Sequence, residues 1–159
     1  MTIVVGDRIP DSILTRMTEQ GPQPVSTNDY FGGKKVVLFS VPGAFTPTCS
    51  AQHLPGYVDH VADFVARGVD AIACVAVNDV FVMHAWGKNA NADGIDMLAD
   101  GNGEFAVALG LELDASAFGM GKRSQRFTLI ADDGVVTDLM VEAPGEFRVS
   151  SAESVLAAL

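Results

Sequence analysis

Short apolar runs bounded by Gly and Pro divide this chain, and their spacing predicts alternating strands and helices. Lys35 to Val41, between Gly32-Gly33 and Pro42-Gly43, is almost wholly apolar, the pattern of a strand covered on both faces and ended by a turn. From Cys49 to Ala66 the apolar positions Leu54, Tyr57, Val58, Val61, Phe64 and Val65 recur at three and four. That spacing predicts one long helix ending near Gly68, kinked at Pro55, which has no N–H to give an internal turn. Val69 to Val77 reads as a second buried strand, Val80 to Lys88 as a helix and Ile95 to Ala99 as a short strand. Strand–helix–strand alternation implies parallel pairing with right-handed crossovers.

The two ends read differently. Met1 to Ser26 mixes extended stretches such as Ser12 to Met17 with Gln20-Gly21-Pro22, an opening hairpin or loop. Glu104 to Leu109 predicts a short helix. Arg126 to Ala131 and Val135 to Met140 are strand-like and flank Asp132-Asp133-Gly134, where Asp-Gly signals a hairpin. A last helix, Ala152 to Leu159, follows the capping residues Ser150-Ser151. With no repeat and no linker, residues 1–159 read as one α/β domain whose mixed sheet is parallel in the middle and closed by a hairpin.

Composition narrows the class. At 48% apolar, the 159 residues can bury a sizeable core. The longest apolar run, Ala71 to Val77, is seven residues, far short of the ~20 that span a bilayer. Ten Lys and Arg against twenty Asp and Glu give a net charge of −10, so phosphate backbones would be repelled and nucleic acid is a poor partner. MTIVVGDRIP has neither a basic flank nor a long apolar core, so nothing reads as a secretion signal. A cytoplasmic location is expected.

Chemistry then turns on two cysteines, Cys49 and Cys74. They form no CxxC pair, which argues against a dithiol oxidoreductase, a zinc ribbon and most iron–sulfur sites. In VPGAFTPTCS, Thr46 suits a helix N-cap and Pro47 the first helical position, which puts Cys49 in the first turn. Unpaired backbone N–H groups and the positive end of the helix dipole favour thiolate over thiol there. The bland reading, a small buried residue at a helix start, stands beside this reactive one. Ionisation alone does not make an enzyme, since an ordinary thiol is already a few per cent thiolate at neutral pH and has only ~30-fold to gain. Transition-state partners are needed, and the candidates are the Thr46 hydroxyl, the turn's N–H groups and a cation, with Pro42 holding the loop rigid and shielding the sulfur.

Pro42, Thr46 and Cys49 in the spacing P-x-x-x-T-x-x-C within PGAFTPTCS resemble the active-site loop of the peroxiredoxins. The wider context, HLPGYV, CVAVNDVFVMHAWGK, MLADGNGEFAVALGL and GKRSQRFTLIADDGVV in order along nearly the whole chain, resembles their peroxiredoxin-5-like (type II, atypical) branch. The resemblance implies a thioredoxin-like fold and a thiol peroxidase acting on hydrogen peroxide and alkyl hydroperoxides, with no metal or haem. Cys49 would be the peroxidatic cysteine, oxidised to a sulfenic acid. Thr46 would orient the peroxide, Pro42 shield the sulfur and Arg126 stabilise thiolate and developing charge. An Arg126 that opens a strand antiparallel to Lys35–Val41 would lie beside the end of that strand, where the Cys49 loop emerges. The resemblance also implies a homodimer joined through loops around the site. A peroxide-sensing protein with slow turnover is the competing function.

Cys74 lies inside an apolar run and reads first as a core thiol. A strand ending near Asn78 sets it four residues, ~13 Å, below the sheet edge, too far to bridge Cys49 without unwinding. The branch offers it as a possible resolving partner, and Ala143 to Leu159 contains no other Cys. An external thiol, glutathione with glutaredoxin or else thioredoxin, is therefore expected to recycle the enzyme. His53, four residues after Cys49, would share its helix face. It either packs near the site or forms a Cys–His nucleophile pair of the hydrolase kind. Trp86 and Phe118 are candidates for the peroxide pocket, a dimer surface or ordinary core. His60 and His84 are isolated, and no spacing suggests a metal site.

Overall fold

The apolar alternation of the strands decides which side chains enter which layer of the structure, a computed structural model describing residues 1–159. In chain order the elements are β1 (Ile13–Thr18), β2 (Gly21–Ser26), α1 (Thr27–Phe31), β3 (Lys35–Ser40), a π-helical turn (Cys49–His53), α2 (Leu54–Asp59) and α3 (Val61–Ala66). Then come β4 (Ala71–Ala76), α4 (Val80–Asn89), β5 (Asp96–Ala99), α5 (Glu104–Leu109), β6 (Glu112–Asp114), a 3₁₀ turn (Ser116–Phe118), β7 (Lys122–Ser124), β8 (Phe127–Asp132), β9 (Val135–Val141) and α6 (Ala152–Ala158).

Seven strands form one mixed sheet in the order β2-β1-β5-β4-β3-β8-β9. The centre, β5-β4-β3, is parallel, and the flanks are antiparallel hairpins. Because β3 is covered on both sides, its residues alternate between two cores. Val37 and Phe39 face the layer of α2, α3, α4 and α6. Val36 and Leu38 face the layer that contains Tyr30 and Phe31 of α1 and Phe105 and Leu109 of α5. This is the thioredoxin-like α/β arrangement anticipated above. No helix is long and apolar enough to cross a membrane.

The opening segment resolves as a hairpin, β1 with β2, and Pro22 and Pro24 fall in β2, the edge strand, where a missing N–H breaks no ladder. Two readings need correction. The helix expected over Cys49 to Ala66 is three pieces, broken at His60, whose backbone leaves the helical region. The second buried strand ends at Ala76 rather than near Asn78, so Cys74 is only two residues, ~7 Å, from its end. The β6–β7 ribbon and α1 were not anticipated. Three-residue strands rich in charge show no apolar period to read.

Candidate active site

Where β3 ends, the chain must leave the sheet and turn back as a helix, and local chemistry fixes how. Val41 still pairs with β4 through its N–H to the Val75 carbonyl. Beyond it Pro42 stops the ladder. The Asn78 side chain accepts from the Ala44 N–H at 2.9 Å, and Phe45 takes a left-handed backbone conformation with φ 65°, uncommon for a bulky residue and concentrated at functional turns. Pro47 and Thr48 then open the helix, and the Thr46 carbonyl accepts from Ser50 N–H at 2.9 Å. Cys49 is thus the third helical residue. The next turn is wide: Leu54 N–H reaches back five residues to the Cys49 carbonyl. Pro55 follows directly, and its ring would crowd the carbonyl four residues back in a regular helix. A π turn just before it accommodates that crowding.

The Cys49 sulfur has no exposed surface, yet two donors converge on it. Thr46 Oγ1 lies 2.8 Å from Sγ and 2.7 Å from the Gly43 carbonyl. Its single proton can serve either acceptor. Arg126 Nη2 donates to Sγ at 2.9 Å. Arg126 reaches it because Phe127, the first residue of β8, pairs with Ser40, the last of β3, as the strand register suggested.

His53 shares the helix face with Cys49 but does not touch the sulfur. Arg126 Nη1 donates to His53 Nδ1 at 2.7 Å, and His53 Nε2 lies 3.0 Å from the Ser150 carbonyl. A guanidinium only donates, so Nδ1 accepts and Nε2 carries the proton. Burial, reinforced by the Arg126 charge, pushes the imidazole pKa down to about 3. A neutral His53 with both nitrogens engaged is no base for Cys49. The Cys–His hydrolase pairing is therefore corrected: His53 seats the cation. The face of the Phe147 ring, 5.8 Å from Arg126 Cζ, adds a cation–π contact.

The other expected residues separate. Pro42, Thr48, Arg126, Leu113 and Phe118 line an open cavity of about 460 Å³ beside the cysteine turn. Phe118 is among the most exposed large side chains of the protein. Trp86 does not reach that cavity. It is wholly buried, its indole Nε1 donates to Ser50 Oγ at 3.0 Å, and it braces the helix next to Cys49 from behind. His60 pairs with Asp63 at the surface, which raises its pKa. Cys74 lies opposite Phe39 and Met97 in the sheet and in the same apolar cluster as Cys49. Both thiols are free. Burial, added to by Cys49 and opposed by Arg126, pushes the Cys74 thiol well up.

Three polar residues of the site escaped the sequence reading: Asn78, Ser150 and Glu142. Asn78 follows an apolar strand and precedes the α4 cap Asp79, a position with turn chemistry that is readable in principle. The other two act through backbone far from Cys49 in sequence, with no local signal.

A family model described as Redoxin matches residues 4–156. Peroxiredoxin-2B of Arabidopsis thaliana is 48% identical, over 99% of this chain and 98% of its own length. Among solved structures, reduced Prx3 of Vibrio vulnificus in complex with hydrogen peroxide is 54% identical with a TM-score of 0.96, covering 99% of both chains. Peroxiredoxin 5 from Alvinella pompejana is 38% identical with a TM-score of 0.84, over 98% of this chain and 97% of its own.

Proposed function

Since the chain belongs to the peroxiredoxins and is a thiol-dependent peroxidase, we propose that Cys49 is the sulfur that attacks the peroxide, with Thr46, Arg126 and Pro42 as its partners. The observation that carries this is the convergence of Thr46 Oγ1 and Arg126 Nη2 on Cys49 Sγ. In the first step a sulfur lone pair forms an S–O bond to the terminal peroxide oxygen while the O–O bond breaks. Sulfur is oxidised to the sulfenic acid, and the leaving oxygen departs as hydroxide or alkoxide that takes a proton to become water or alcohol. Negative charge moves from sulfur onto the two oxygens as this happens. Donors already fixed within hydrogen-bond reach of the sulfur meet that charge without reorganising, the largest single source of catalysis in many enzymes. Pro42, half-buried in the cavity wall, limits the water that would compete for those donors.

Two thiols of an external reductant complete the cycle. One attacks the sulfenic sulfur, releasing water and leaving a mixed disulfide; the second resolves it and regenerates Cys49. Glutathione with glutaredoxin, or thioredoxin, supplies that chemistry in a reducing cytoplasm. The apolar setting of Cys74 supports an external route over an internal one. Exposed Phe45 and Phe118 beside the site are the apolar surface that a homodimer formed through these loops would cover.

Steady-state peroxide consumption with glutathione and glutaredoxin tests the assignment. Turnover lost in Cys49→Ser and kept in Cys74→Ser supports it. Loss in Cys74→Ser would make Cys74 the resolving thiol, and stoichiometric oxidation of Cys49 without turnover would mark a sensor instead.

A further inference from the structure

The most heavily bonded carboxylate in the protein lies outside the reacting groups. Glu142, directly after β9, is almost fully buried. Its Oε2 accepts from the backbone N–H groups of Arg148, Val149 and Ser150 at 2.8, 2.9 and 2.8 Å, and from Ser150 Oγ at 2.6 Å. Three consecutive N–H groups aimed at one oxygen form an anion nest, here filled by a side chain of the same molecule. Burial pushes the Glu142 pKa up, but these donors outweigh it and the carboxyl stays below its ordinary value. From Ala143 to Ser151 the chain is neither helix nor strand. Its N–H groups are held by Glu142, while side chains of regular elements take its carbonyls: Ser154 that of Arg148, and Tyr57 and Thr128 that of Ser150.

What the nest fixes is one carbonyl. Ser150 O receives His53 Nε2 at 3.0 Å, Tyr57 Oη at 2.8 Å and Thr128 Oγ1 at 3.0 Å. His53 in turn takes Arg126 Nη1 on its other nitrogen, and the second arm of that guanidinium reaches Cys49. We propose that Glu142 is a positioning residue for the peroxidase reaction, aligning Arg126 on the Cys49 sulfur through Ser150 and His53. The inference rests on the assignment of Cys49 as the attacking sulfur. Glu142 touches none of the reacting atoms. Besides the charge it sets near His53 in the wall of the cavity that Arg126 also lines, its effect is geometric: a Ser150 carbonyl released from the nest no longer orients the imidazole, and the imidazole no longer fixes one arm of the cation.

The test compares Glu142→Gln with the parent, all in a Cys74→Ser background so that thiolate ultraviolet absorbance reads Cys49 alone. The second-order rate constant with hydrogen peroxide should fall about 10-fold, the scale of a displacement below an ångström. The thiolate titration should move to higher pH, a readout that loss of stability alone does not shift. Combined with His53→Asn, Glu142→Gln should add little further loss, because the two act in series. An unshifted titration, or losses that multiply in the double variant, overturns the proposal. If Glu142→Gln does not fold, Ser150→Ala removes one of the four donors and carries the same test: a smaller shift in the same direction supports it and no shift overturns it. Peroxide consumption surviving in Cys49→Ser would instead sink the assignment of the attacking sulfur.

Discussion

Cys49 and Cys74 are two thiols of one apolar cluster, both without exposed surface, and they differ in what meets the sulfur. Cys49 sits at a helix start against a hydroxyl and a guanidinium. Cys74 sits mid-sheet between Phe39 and Met97, where burial holds it protonated. Burial is common to both and so does not by itself separate them. Reactivity follows from donors aimed at the place where charge will be, and the fold supplies them at only one of the two positions.

The widest gap is expected between the thiols themselves. One equivalent of hydrogen peroxide should convert Cys49 to a sulfenic acid on the order of 10³-fold faster than it touches Cys74, read by mass spectrometry after trapping; comparable labelling of both would erase the distinction. Arg126→Met should bring Cys49 closer to Cys74, lowering its second-order rate constant with peroxide about 10²-fold, as removal of one transition-state donor does. Thr46→Val should cost roughly 30-fold and Thr46→Ser much less, since the hydroxyl and not the methyl contacts sulfur. Stopped-flow rates with the pure variants check both, and a Thr46→Val protein as fast as the parent would remove the hydroxyl from the mechanism.

The smallest effect separates the two neighbourhoods by pH. Burial and the Arg126 charge push the His53 imidazole down to about 3 in the folded protein, from an ordinary 6.5. Between these values the unfolded chain binds a proton that the native one does not, so stability is lost as pH falls from about 6.5 towards 3. Thermal melting should drop across that window, and His53→Asn should flatten the drop. A variant with the parent's full pH slope would mean that His53 is not the buried neutral group.

Much of this was legible in the chain because it is local or periodic. Thr46-Pro47 before Cys49 announces a helix start whatever surrounds it, and the apolar runs of β3, β4 and β8 carry a register that brings Arg126 to the mouth of β3. What was hidden is long-range. His53 could be read as packing near the site or as a partner for sulfur because a helix face predicts neighbours along the helix, not the Ser150 carbonyl 97 positions away that claims its other nitrogen. Trp86 stayed open between pocket wall, dimer surface and core because an aromatic's side of the sheet is not written in its neighbours. Glu142 gave no signal, since one acid after an apolar strand looks like a solvated charge until the main chain folds over it.

With Cys49 as the attacking sulfur, the wide turn around it would set access in the second half of the cycle. A peroxide is two oxygens across and can slip past Pro42 to a sulfur with no open surface, whereas a thiolate borne on glutathione or a partner protein must approach from a cone wider than that crevice. Regeneration by such a thiol would require residues 49–53 to swing outward. The Leu54 N–H on the Cys49 carbonyl, the Trp86 indole on Ser50 and the two bonds of His53 all hold that turn in place, so tightening it should slow the return of the enzyme to service more than the first strike on peroxide.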